Sequence, residues 1–437
     1  MRILFIISLC LTLYSCSENK EYEKGIANPD ILHRAMNKYS EVIVYDIFSP
    51  PQASRNYVYP SIAAYEVMAA GNADYKTLAG QLHELKVLPE APVESYSTTI
   101  AALEAFFITA THFIFSEERL VKHHKEVLEK LKKEVPRGDY KRSVAYGRAV
   151  ADHIIAWSDG DNYKQIRTFP KFSITQDPAM WKPTPPGYMD GIEPHWREIR
   201  TFVIDSANQF VPAPPTAFDL SEGSQFYKET MEVYEVGNNT DDEQKEIASF
   251  WDCNPYKLNV TGHVMHATKK ITPGGHWISI IAIVSKKAQA DLAKSIEAYT
   301  LTSIALADGF IACWDEKYRS NLVRPETVIN EHIDENWVPF LQTPPFPEHT
   351  SGHSVISRAA AVALTSIYGD NFAFDDNTEV QYGIPIRSFK SFIHASEEAA
   401  VSRLYGGIHY RPAIDVGVEQ GQKVGDFIVG TLKLKEG

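Results

Sequence analysis

At 437 residues, 44% hydrophobic and 23% charged, the chain can bury a large core and is too apolar for general disorder. Its formal net charge of −13 argues against nucleic acid or an anionic membrane surface as the main partner. An anion would therefore have to be held in a local basic pocket of an acidic protein.

Residues 1–15 read as a signal peptide, with Arg2 as the charged start, an apolar stretch over 3–14, and Leu13-Tyr14-Ser15-Cys16 as the cleavage site. The apolar stretch is too short to span a bilayer. A small residue directly before Cys16 resembles the lipobox of bacterial lipoproteins. That resemblance implies a lipidated Cys16, a polar tether over 16–30 and export to the cell envelope; the plain alternative is a secretory signal with an incidental cysteine. Residues 31–437 then form one large helical domain.

Helical periodicity covers 31–48, 59–70, 98–115, 117–134 and 140–157, with Pro50-Pro51 and Pro136 as punctuation. From 158 to 219 the chain is irregular and rich in proline and aromatics, including Trp181-Lys-Pro-Thr-Pro-Pro-Gly187-Tyr188. A segment this long is either a lid or collar over a site or a packing belt between helix layers. Helices resume at 226–234, 242–251 and 262–267. His263, His266 and His276 invite a metal reading, but carboxylate and cysteine partners at ligand spacing are missing nearby, so they read as structural.

After 277–284, a run over 288–323 carries apolar residues on several faces and reads as a central helix. Asp308 and Asp315 lie on its main stripe, where an unpaired carboxylate is costly. They are expected to pair with the arginines of the 317–415 motifs and anchor them, with solvent exposure of Asp315 as the alternative. Cys253 and Cys313 are the cysteines left for the mature fold, and one bridge between them is open; Cys313 reads as a small buried residue. No apolar run approaches the eighteen or so residues that cross a bilayer.

The chemistry concentrates between 317 and 415. Lys317 and Arg324-Pro325 come first, then Phe346-Pro347 and Ser351-Gly352-His353, then Ser402-Arg403 and His409. Two arginine forks and a lysine point charge suit a tetrahedral oxyanion. On one continuous helix Lys317 and Arg324 would share a face, about 10 Å apart along the axis. Ser351-Gly352-His353 precedes helical spacing from Val355 onward, which predicts a helix N-terminus with free N–H groups at an anion. Gly352 lets the backbone approach closely. His409 can attack or ligate the central atom, and His353 can move protons near neutral pH.

This order (Lys, six residues, Arg-Pro; Pro before Ser-Gly-His; Ser-Arg, five residues, His) resembles the superfamily of vanadium-dependent haloperoxidases and type 2 phosphatidic acid phosphatases. The resemblance implies an all-α fold around a helical bundle, with residues 275–437 as its catalytic core. It makes Lys317, Arg324, Ser351, Gly352 and Arg403 the vanadate or phosphate ligands. His409 would bind vanadium, and His353 would be the acid–base group when hydrogen peroxide enters. Phe346 matches the chloroperoxidase-like members and is a halide-pocket candidate, with core packing as the plain alternative. Many members carry Asp four residues after the final His; here that position is Ala413. The nearest carboxylate is Asp415, which would serve only if the chain bulged. The orientation of His409 is thereby an open point.

The implied activity is vanadate-dependent oxidation of halide by hydrogen peroxide to hypohalous acid. Vanadate and phosphate share shape and charge, so the alternative is an acid phosphatase that hydrolyses phosphate esters through a phosphohistidine at His409, with His353 protonating the leaving alcohol. The intact set of candidate residues speaks against a non-catalytic binding protein.

Overall fold

In this computed structural model residues 21–261, 264–267 and 269–435 are described. The signal segment, Cys16 and His263 lie outside them. From Glu21 the chain is docked rather than a tether throughout 16–30: α1 (Glu21–Ile26) buries Ile26, and the Tyr22 hydroxyl donates to Asp139 at 2.7 Å.

Caps and proline placement set the helix starts. α2 (Pro29–Asp46) is capped by Asn28, and α3 (Pro50–Gly71) by a reciprocal box between Ser49 and Gln52. Pro50 and Pro51 thus open a helix rather than break one, because a first-turn proline lacks only an N–H that would be unpaired anyway. α4 (Thr98–His112), α5 (Glu117–Leu131), α6 (Arg137–Ser158) and the short α7 (Tyr163–Ile166) complete the N-terminal half. α8 (Gln225–Asn239) and α9 (Asp242–Phe250) follow the irregular segment. Of the expected 262–267 helix the described part, 264–267, is a strand: β1 (Leu258–Thr261) pairs antiparallel with β2 (Val264–Ala267). The β-branched Val260, Thr261 and Val264 suit strands better than helices.

The C-terminal half comprises α10 (Pro273–Lys287), α11 (Leu292–Ser320), α12 (Pro325–His332), α13 (Gly352–Tyr368), α14 (Phe392–Tyr405) and α15 (Arg411–Thr431). Between α13 and α14, β3 (Phe374–Asp376) pairs with β4 (Arg387–Phe389). The fold is all-α, built on helical bundles. α11 is its axis, packed against α3, α10, α13 and α15. By length and apolar composition α11 would suffice to cross a membrane, contrary to the expectation that no run does; its apolar window is wholly buried among the other helices. α15 reaches α13 closely through Gly417 and Gly421. A Cβ on Gly421 would overlap the Val355 carbonyl, and one on Gly417 would come 2.9 Å from Ser354 Cβ.

The irregular 158–219 segment is a packing belt. Trp181 N donates to Asn321 O at 2.8 Å, and the Trp314 indole and Tyr318 hydroxyl both donate to Ile192 O. Asp308 explains much of this binding. It does not pair with an arginine: its carboxylate accepts the backbone N–H groups of Phe202, Val203 and Ile204 at 2.7–3.0 Å. A chain with little secondary structure of its own still has to place buried N–H groups, and the Asp308 carboxylate takes three. Burial pushes its pKa up to about 6 even so. Asp315 is buried and pairs with Arg319 and Arg197, neither of which belongs to the motif. Asp308→Ala is expected to cost about 3–5 kcal/mol, because three buried donors lose their acceptor. Thermal or urea unfolding checks this, and a change under 1 kcal/mol would mean the belt finds other partners.

Candidate active site

Lys317 sits in the last turn of α11, which ends at Asn321 in the left-handed conformation. The helix does not run on to Arg324. That residue precedes Pro325 and takes the extended conformation a following proline favours, as the residue before α12. The two cations therefore meet across a chain reversal, not along one helix face, and both lie over the Phe346 ring at 5.0 and 5.1 Å. Phe346 also packs on Trp314, so it is both core residue and cavity wall.

Ser351 caps α13, as expected, with its Oγ accepting from Ser354 N at 3.4 Å. Gly352, His353, Arg403 and His409 line one cavity, together with Trp314, Phe346 and Tyr256. Lys317, Arg324 and Ser351 stand directly behind this lining, all buried. A Cβ on Gly352 would meet Trp314 and Lys317 only at 3.8 and 3.9 Å. No protein neighbour demands glycine there, so the open side faces what enters the cavity.

Main-chain carbonyls hold the cations. Lys317 Nζ donates to Pro347 O, Glu348 O and Thr350 O at 3.0, 3.1 and 2.5 Å. All three of its donors are used, so it acts on the cavity as charge rather than as a spare donor. Arg324 donates through Nε to Phe346 O and through Nη1 to Ile408 O and His409 Nε2, the last at 3.1 Å. Arg403 is the last basic residue of α14 and donates to Ser402 Oγ and Trp251 O. Gly407 has φ +74°, the conformation that turns the chain from α14 back to His409. Burial lowers Lys317 to about 7 and both arginines to about 10. His353 and His409 are pushed well down by burial and by the facing arginines, and are neutral. Arg324 Nη2 and His353 Nε2 are buried without a protein partner.

Glu348 answers the open point about His409. Its Oε1 accepts from His409 Nδ1 at 2.7 Å and from Tyr410 N at 3.0 Å. Asp415 does not substitute: it faces Arg411 and Glu232. Glu348 stands beside Pro347 in a motif already in view, but the expected carboxylate lay after His409, and no local pattern predicts a partner 61 residues away. Burial, opposed by Arg324 and Lys317, raises Glu348 to about 7.

His349 points away, toward Ala213 O, and Cys253 and Cys313 are both buried and unbridged. The expectation for His276 needs correction. Cysteine and carboxylate partners do surround it, namely Cys253, Asp376 and Glu379, brought from separate segments rather than from neighbouring sequence.

Residues 297–434 match the family model of the VCPO second helical-bundle domain. No curated relative matches the chain. A bacterial vanadium-dependent iodoperoxidase of known structure is 52% identical, with a TM-score of 0.90 over 94% of this chain and 98% of that one. A bacterial vanadium-dependent chloroperoxidase shares the fold in its holo and apo forms, at 16% and 17% identity and a TM-score of 0.67 for each. These two alignments cover 88% and 86% of this chain and 93% of the other. On the motif residues and the similarity along nearly its whole length, the chain belongs to the vanadium-dependent haloperoxidase family.

Proposed function

We propose that the protein oxidises halide, iodide foremost, with hydrogen peroxide at a bound vanadate. Halide, peroxide and one proton yield hypohalous acid and water. The observation that carries this reading is the 52% identity to an iodoperoxidase along nearly all of both chains. The phosphatase alternative is not favoured by these relatives.

The residues present fit vanadate. Three buried cations surround a cavity floor where Arg324 Nη2 and His353 Nε2 lack protein partners; an oxyanion would satisfy the arginine donor and the charge, and one of its hydroxyls would donate to Nε2. When bound, vanadate supplies a Lewis-acid centre that activates peroxide toward halide. Arg324 would reach its oxygens through Nη2, and Arg403 through the nitrogen not held by Ser402 and Trp251; Lys317 would add positive charge, and Gly352 and Ser351 would offer N–H and hydroxyl at the α13 terminus. His409, with Nδ1–H directed to Glu348, would hold vanadium through Nε2, with the Arg324 Nη1–H that Nε2 now accepts turning to a vanadate oxygen. His353 is neutral and holds Nε2 free to take and return the peroxide proton. The apolar wall of Phe346, Trp314 and Phe310 suits a large, weakly hydrated halide.

Anion binding requires protonated Lys317, which loses its proton at about 7 in the absence of anion, while Glu348 gains negative charge at about 7. Both effects have the same sign. Vanadate affinity is expected to fall above pH 7, by about tenfold per pH unit for each proton taken up. Equilibrium dialysis between pH 6 and 9 checks this; affinity constant or rising with pH contradicts it.

The defining experiment uses protein begun after Cys16, stripped of bound anion and reloaded with vanadate. Iodide and bromide oxidation by peroxide is followed beside hydrolysis of p-nitrophenyl phosphate. Vanadate-dependent oxidation supports the proposal, and ester hydrolysis without oxidation of any halide overturns it. The lipobox-like sequence further supports export and anchoring through lipidated Cys16. Fatty-acid labelling of the full chain is expected to disappear in Cys16→Ala.

A further inference from the structure

A second set of donors meets in the core beside the cavity. Cys253 comes from the loop between α9 and β1, His276 from the first turns of α10, and Glu379 from the turn after β3; all are buried. Cys253 Sγ, His276 Nδ1 and Glu379 Oε1 lie within 4.8 Å of one another, with Sγ 3.4 Å and Oε1 3.2 Å from Nδ1. Around a tetrahedral zinc with ordinary bond lengths, the corresponding edges are about 3.6 and 3.3 Å.

His276 uses its other nitrogen as a metal-bound imidazole does: Nε2 faces Asp376 Oδ2 at 2.8 Å, and Asp376 is itself held by Thr378 N. The protein alone leaves the cluster unsatisfied. One Nδ1 hydrogen cannot serve both a thiol and a carboxylate, and Glu379 Oε1 is buried with no hydrogen-bond partner. The competing arrangement is a protonated His276 between two carboxylates, with a protonated thiol and no ion.

We propose that Cys253, His276 and Glu379 bind a divalent transition metal of the zinc class, with Asp376 as the residue that orients the imidazole. A thiolate, an imidazole and a carboxylate are the donors zinc takes, and alkaline-earth ions do not favour sulfur. Cys253 also lines the active-site cavity, so the cluster borders that cavity. The ion pins the segment that serves the catalytic cavity. Trp251 stacks on His276 at 4.7 Å, and its carbonyl accepts from Arg403 Nη2 at 2.8 Å.

The test uses protein begun after Cys16, without vanadate, and reads metal rather than turnover. Zinc is measured after dialysis, and cobalt(II) is titrated into the chelator-treated protein. One equivalent of zinc is expected, together with a thiolate-to-cobalt charge-transfer band that is absent in Cys253→Ser. Asp376→Asn is expected to weaken zinc binding by about 10–100-fold. Folded parent protein with neither stoichiometric zinc nor the cobalt band overturns the proposal, whatever the variants do. A band that persists in Cys253→Ser overturns it too, because the thiolate would then be Cys313.

Discussion

His409→Ala is expected to lower vanadate-dependent halide oxidation by about 10³-fold or more, with the fold retained. His409 is buried, and its ring is gripped at both nitrogens: Glu348 accepts at Nδ1, and Arg324 faces Nε2. The Glu348 contact places the hydrogen on Nδ1, so Nε2 carries the lone pair, which accepts from Arg324 Nη1. Alanine removes that donor atom and leaves the three cations with no central ligand to position what they hold. Steady-state iodide oxidation, vanadate content and circular dichroism check this together. Parent-like turnover in a folded variant would take His409 out of the vanadate site.

The second large effect is expected at Glu348. In Glu348→Ala the carboxylate that acts on both Lys317 and Arg324 is lost, leaving two buried cations short of negative charge. Breaking a buried pair from one side costs about 3–5 kcal/mol. Added vanadate should recover part of that loss, since it brings negative charge to the same cations. His409 Nδ1 and Tyr410 N also lose their acceptor, which is expected to weaken vanadate binding by about 10–100-fold. Glu348→Gln keeps an acceptor at that place and should recover most of the affinity. Calorimetry with and without vanadate, and equilibrium dialysis on both variants, separate orientation from charge. Equal affinities in Ala, Gln and parent would show that Glu348 only fills space.

Much of the site is legible in the chain because its residues come as short motifs with fixed local consequences. Ser351-Gly352-His353 before an apolar helical pattern yields the capped start of α13, and Arg324-Pro325 yields an extended residue at a helix start. The same proline rule shows why Lys317 and Arg324 could not share one helix. The strand at 264–267 was hidden because a run so short has no period long enough to separate strand from helix.

The sequence by itself determined the helical character and the N-terminus of α13, since each rests on spacing within a few residues, and its motifs singled out the candidate anion-holding side chains. Only the tertiary structure decided their partners. Glu348 reaches His409, Asp308 takes the backbone of the 202–204 belt, and Cys253, Asp376 and Glu379 surround His276. The physical reason is common to all three. A buried charge or donor must be satisfied by whatever group packing brings within about 3 Å, and that group can lie anywhere along the chain.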